Sequence, residues 1–175
     1  RGIDVWTKGQ ATLLKNVTTS HITTESLRTT GRRFQELRSI EWGGTKGVLL
    51  HDGYDVDKID TTGAETHFID FNAGTDKPVY AICDNGTTAF WITNTATKKT
   101  VYKKALTLDY TTSGTSMFDE IGQISNAVME YVKERIVLCA DNKVYEFSSS
   151  ASGMPTAAYT HPSSDYVYTS ITASG

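Results

Sequence analysis

The chain has 175 residues, 38% hydrophobic and 21% charged, enough apolar material for one folded domain over 1–175 and too much for wholesale disorder. A net charge of −3 and a pI near 5.8 leave no basic footprint for nucleic acid, and no run approaches the ~18 apolar residues that cross a bilayer. Nucleic-acid binding and membrane insertion are therefore not expected, whereas 14 glycines scattered among Thr, Ser, Asn and Asp supply the turn chemistry of an all-β protein.

The chain opens on Arg1-Gly2 with no signal-peptide pattern, which predicts an internal position of a longer protein. Ile3 to Trp6 suits the second strand of a hairpin whose first strand lies upstream, and Leu13-Leu14 starts another β-prone run. Arg28, Arg32, Arg33 and Arg38 are interrupted by Glu25 and Glu36 and predict a solvated face. Arg38 to Trp42 is β-prone. Val48-Leu49-Leu50-His51-Asp52-Gly53 then leads into Val56 and Ile59, a hairpin signal of two β-prone runs around an Asp/Asn/Gly turn. After His67-Phe68-Ile69 the signal recurs, with Val79 to Cys83, then Asp84-Asn85-Gly86, then Ala89 and Ile92. Val101-Tyr102 follows.

Met117, Phe118, Ile121, Ile124, Val128 and Val132 fall near helical spacing, and Asp119-Glu120 suits a first turn, which predicts a short helix around 118–121. Val128 to Cys139 reads instead as a hairpin, because its counterpart Ser39 to Leu50 contains Gly43, Gly44 and Gly47, costly inside a helix. Ile136 to Cys139, Asp141-Asn142, then Val144 and Phe147 give the third hairpin signal. Ala157-Ala158-Tyr159 is a further short run. Tyr166 to Ile171 reads as a first strand with Ala173-Ser174-Gly175 as its turn, so the chain starts and stops inside a hairpin.

These units repeat. The second-strand positions Ile3, Val56, Ala89 and Val144 are spaced 53, 33 and 55 residues apart, and a shift of two units is 86 or 88 residues. Long and short units alternate, the longer carrying an insertion of about 20 residues. Three or four short strands per ~45 residues is the pattern of a β-propeller blade. The expected fold is all-β, a β-propeller with about four blades visible and part of a larger propeller; a sandwich of hairpins is the rival architecture. The inserts near 16–36 and 107–126 are the expected variable loops.

No constellation carries an evident reaction. His51-Asp52-Gly53-Tyr54-Asp55-Val56-Asp57 with Asp60 could offer oxygen ligands to calcium, but the EF-hand spacing is absent and a solvated turn is expected. Asp84, Gly86 and Thr88 partly fit the Asp-box of sialidase-type propellers, with Ile82 and Ala89 where Ser and Trp belong, and that box is a structural turn. Trp6 and Trp42 are expected in the core, and of Phe90 and Trp91 one is expected to face outward. His21, His51, His67 and His161 lack metal spacing, and Cys83 and Cys139 read as buried, reduced thiols. Catalytic, cofactor-binding and metal residues are accordingly not assigned, and no cofactor is expected.

The segments Lys77 to Cys83, Ala89 to Thr95, Met117 to Asn126, Val132 to Val137, Asp141 to Phe147 and Tyr159 to Gly175 resemble propeller regions of minor tail proteins of actinobacterial bacteriophages. The likeness covers roughly 45–175 and is one of whole segments. It implies a non-enzymatic virion component of the distal tail, assembled in the bacterial cytoplasm. The implied partners are other tail proteins and, on the host side, a cell-surface glycan. Rival readings are a sialidase-like or other glycan-acting propeller, a carbohydrate-binding module, and a closed four-bladed propeller of cellular origin.

Overall fold

The computed structural model describes residues 2–6, 13–18, 36–51, 56–69, 79–95 and 97–172. All regular structure among them is β. A two-stranded sheet pairs β1 (Gly2–Trp6) with β2 (Leu13–Thr18). Three four-stranded antiparallel sheets follow. The first comprises β3 (Glu36–Trp42), β4 (Thr45–His51), β5 (Val56–Asp60) and β6 (Glu65–Ile69). The second comprises β7 (Val79–Asp84), β8 (Thr88–Asn94), β9 (Lys98–Ala105) and β10 (Thr115–Ile121). The third comprises β11 (Ala127–Val132), β12 (Arg135–Ala140), β13 (Lys143–Phe147) and β14 (Tyr159–Thr160). Within each sheet the spatial order is the chain order.

The chain forms two units. One holds residues 1–76 and 106–113, the other 77–105 and 114–175. In the second unit β7 lies against β11, so the first strand of one sheet neighbours the first strand of the next. β7 and β8 are buried along nearly their whole length, covered on both faces, which is why Val79-Tyr80-Ala81-Ile82-Cys83 and Ala89-Phe90-Trp91-Ile92 read as continuous apolar runs.

The three hairpin signals are all antiparallel pairs: β4–β5, β7–β8 and β12–β13. Their phase differs from the alternating one. β4–β5 and β12–β13 are the second and third strands of their sheets, whereas β7–β8 are the first and second. First strands begin at Glu36, Val79 and Ala127, giving one unit of 43 to 48 residues and no long–short alternation. The shift of 88 residues is retained at strand level. Val48 faces Ile59, Leu49 faces Lys58 and Leu50 faces Asp57; 88 residues on, Ile136 faces Phe147, Val137 faces Glu146 and Leu138 faces Tyr145.

The expected helix near 118–121 is instead β10. The pairing with β9 shifts register between Ser116 and Phe118, a bulge that lets consecutive Met117 and Phe118 both be buried and so imitates helical spacing. The same strand occupies the middle of the expected 107–126 loop. Val128 to Cys139 is the expected hairpin, β11–β12. Tyr166 to Ile171 belongs to no strand, and no described strand pairs with it. Phe90 and Trp91 are both buried, because β8 is an interior strand covered on both faces. Most of the expected 16–36 insert lies outside the described residues.

Candidate functional site

In the first unit the centre of β5 carries two charged residues in succession. Neighbouring strand residues point to opposite faces, so Asp57 and Lys58 enter different surroundings. Asp57 is fully buried, and its Oδ1 lies 2.7 Å from Nδ1 of His67, its cross-strand partner on β6. Burial pushes the Asp57 carboxyl above its ordinary range; His67 pulls it down and Glu65 pushes it further up. Lys58 is also buried. Its Nζ donates to the carbonyl oxygens of Leu106 at 2.5 Å and Leu108 at 2.8 Å. The ammonium lies 4.9 Å from the Phe68 ring centroid and 5.4 Å from that of Trp42. Burial lowers the Lys58 pKa, against the opposing charge of Asp109.

These groups form a clasp on residues 106–113. Tyr110 N donates to His67 O at 3.0 Å, and the Tyr110 and His67 rings lie 5.0 Å apart. Asp109 Oδ1 accepts from Thr111 N at 3.0 Å and from the Thr111 hydroxyl. Chemically this arrangement can fix a connection; a fully buried carboxylate offers a substrate no approach.

The second unit has a half-exposed network. Glu120 Oε2 accepts from Lys99 Nζ at 2.7 Å and from the Tyr145 hydroxyl at 3.1 Å, while Lys143 Nζ lies 3.7 Å from Oε1. Burial pushes the Glu120 carboxyl up, but the hydrogen bond and charge of Lys99, with Lys143 and Tyr145, outweigh it and hold it below the ordinary range. Burial and the neighbouring Glu120 carboxylate push the Tyr145 hydroxyl far up. Phe118 and Phe147 meet edge to face at 4.9 Å, so β10 and β13 are joined by both polar and apolar contacts.

The carboxylates with turn signals are occupied, Asp60 and Asp84 by their own turns and Asp141 by the segment before β11. Asp60 Oδ1 accepts from Thr62 N at 2.8 Å, the Thr62 hydroxyl at 2.6 Å and Ala64 N at 2.9 Å, which lowers its pKa. Asp84 Oδ1 accepts from Gly86 N at 2.9 Å, and Asn85 Oδ1 accepts from Thr87 and Thr88. Gly86 at φ 85° takes the left-handed conformation that this turn needs. Asp141 Oδ1 holds Ser125 N at 3.0 Å and Asn126 N at 3.1 Å.

Of the residues in the calcium reading, Asp57 faces His67 and Asp60 closes the β5–β6 turn, while residues 52–55 and the His51 side chain lie outside the described residues. Among the described residues no group of three His, Cys, Asp or Glu could hold a metal. Trp42 is half-buried beside Lys58, and Trp91 is buried and stacked on Tyr102 at 5.6 Å. The Trp6 side chain, His21, Arg28, Arg32 and Arg33 lie outside the description, while Arg135 pairs with Glu146 at 3.0 Å on the surface. Cys83 and Cys139 are buried and form no disulfide, as expected. Sequence reasoning missed the Lys58 clasp and the Glu120 network. The Asp-Lys pair between Val56 and Ile59, charge inside an apolar run, was the legible sign of the first.

An exposed aromatic group lies on β14 and the residues after it. Tyr159 and Tyr166 are each about half exposed. Tyr166 stacks on His161 at 4.0 Å and meets Tyr168 edge-on at 5.4 Å.

No family model matches the chain, and no curated protein or solved structure matches it.

Proposed function

We propose that this chain is a run of β-propeller blades that acts without catalysis as a structural element of a distal bacteriophage tail, as part of a minor tail protein. The observation that carries the propeller reading is the repeated four-stranded meander of 43 to 48 residues, with β7 against β11 as blades set first strand beside first strand. The tail assignment rests on the segment resemblance to actinobacterial phage proteins. A non-enzymatic role is supported by the fate of the carboxylates, since Asp57, Asp60, Asp109, Asp141 and Glu120 are engaged in packing or turns.

Immunogold labelling of intact virions with antibody to this chain is expected to mark the distal tail; label elsewhere, or none on virions that contain the chain, overturns the assignment. Labelled protein is then added to host cells. Saturable binding that lowers phage adsorption assigns it to host attachment, and its absence assigns it to a scaffold within the tail. A second reading, contact with a neutral host glycan, is favoured by the exposed Tyr159 and Tyr166 rings, which suit stacking on a sugar face.

A further inference from the structure

The sequence holds one Asn-Gly pair, Asn85-Gly86, and it lies in the turn between β7 and β8. Glycine has no Cβ to hinder its own nitrogen, so in such a pair that nitrogen can attack the carboxamide carbon of the asparagine before it. Gly86 and Thr87 are exposed, Asn85 is half-buried, and the side of Gly86 where a Cβ would stand is open space. Water therefore reaches the reacting atoms. The β12–β13 turn carries Asp141-Asn142-Lys143 instead, where a side chain follows the asparagine.

The folded turn opposes that reaction at both atoms. Gly86 N donates to Asp84 Oδ1 at 2.9 Å. Asn85 Oδ1 accepts from Thr87 N at 3.1 Å, from the Thr87 hydroxyl at 3.0 Å and from Thr88 N at 2.8 Å. Asn85 N donates to Thr88 O at 3.1 Å, and Asp84 faces Ala89, so the strands close the turn on either side. Swinging the carboxamide carbon onto Gly86 N breaks the Oδ1 bonds, and Gly86 N must give up the proton that Asp84 holds. β7 and β8, buried along nearly their whole length, keep the ends of the turn from yielding.

We propose that Asn85-Gly86 is a self-modification site that the β7–β8 turn keeps closed while the chain is folded. When the turn opens, hydroxide removes the Gly86 amide proton and the nitrogen bonds to Asn85 Cγ. The Asn85 side-chain nitrogen takes a proton from water and leaves as ammonia. Water then opens the succinimide at either carbonyl, which leaves aspartate or isoaspartate at position 85. Either product sets a second carboxylate beside Asp84, where like charges repel. Isoaspartate also adds a methylene to the backbone between strands whose register puts Asp84 opposite Ala89. The chemistry so converts a transient opening of the hairpin into a lasting change. The inference rests on this turn and not on the tail assignment, so the two fail separately.

The whole chain and a free peptide carrying residues 80–92 are incubated at mildly alkaline pH, and conversion of Asn85 is followed by mass spectrometry and by enzymatic methylation of isoaspartate. The folded chain should react at least about tenfold slower than the peptide, and urea that unfolds it should restore the peptide rate. Asp84→Ala releases the Gly86 N–H; measured against its own peptide, the folded variant should react about threefold faster than the parent or more. Thr87→Val removes one donor from Asn85 Oδ1 and should give a smaller rise. Equal rates in folded chain and peptide, or no conversion in peptide or urea, overturn the proposal. A D84A rate no faster than the parent's overturns the closed turn, and a slower one identifies Asp84 as a base that promotes the attack. If the urea curve shows that D84A does not fold, T87V decides, and a rate no faster than the parent's overturns the proposal.

Discussion

The β4–β5 and β12–β13 hairpins share one register 88 residues apart, yet their third strands treat charge differently. Asp57 and Tyr145 hold equivalent positions, and both are buried with a polar partner, His67 for one and Glu120 for the other. At the next position the hairpins diverge. Lys58 is buried under residues 106–108, while Glu146 is exposed and pairs with Arg135. The pairing to the second strand is the same, but β6 runs beside Asp57 and Lys58 whereas β14 reaches only Lys143 and Val144, and different residues cover the face. A side chain's burial in a sheet is decided by its neighbours across the face, and a lysine can be kept there only if carbonyls and aromatic rings replace its water.

The comparison breaks first at His67. His67→Ala leaves the Asp57 carboxyl buried beside Glu65 and should cost about 3 kcal/mol in urea unfolding, whereas converting both Asp57 and His67 to leucine should recover much of that loss. If the single change costs under about 1 kcal/mol, the pair is not a lock. Next comes Lys58→Ala, expected to cost about 2–4 kcal/mol through the orphaned Leu106 and Leu108 carbonyls and lost packing, against about 0.5 kcal/mol or less for Glu146→Ala. Equal costs at the two positions would erase the distinction.

A smaller effect separates the two units by pH. The Glu120 carboxyl titrates below its ordinary 4.5 in the folded chain, so its contribution is fully present above that value and is lost as pH falls through the folded pKa. Glu120→Gln should cost about 1 kcal/mol at neutral pH. The variant's stability should also fall less steeply than the parent's under acid. Parallel pH profiles would show that Lys99 and Lys143 do not stabilise the ionised form.

The smallest expected effect lies in the turns. Gly43 and Gly44 link β3 to β4 at φ 56° and 81°, and Lys133 and Glu134 link β11 to β12 at φ 47° and 65°. Both are two-residue connections with two left-handed residues, a conformation natural for glycine and strained for residues that carry a Cβ. Replacing Lys133-Glu134 with Asn-Gly should stabilise the chain by about 1 kcal/mol, read as a raised urea midpoint at unchanged slope.

The strands were legible because β-prone runs alternate with Asp/Asn/Gly turns. β1, β3 to β9 and β11 to β13 lie where the pattern predicts them. The phase of the repeat was not legible. A hairpin signal marks two strands and a turn but not their rank in a sheet. Val56 begins the third strand of its sheet and Ala89 lies on the second strand of the next, yet both follow the same local pattern. Met117-Phe118 imitated a helix for a related reason, since a bulge adds one residue and breaks the period of two.

By itself the sequence determined the all-β class, the turns and the 88-residue correspondence, because these depend on local backbone preference and on alternation along the chain. Tertiary structure alone decided that Lys58 is enclosed and that Glu120 gathers Lys99, Lys143 and Tyr145. Those outcomes depend on which distant segment crosses a given face, and no local pattern of residues carries that information.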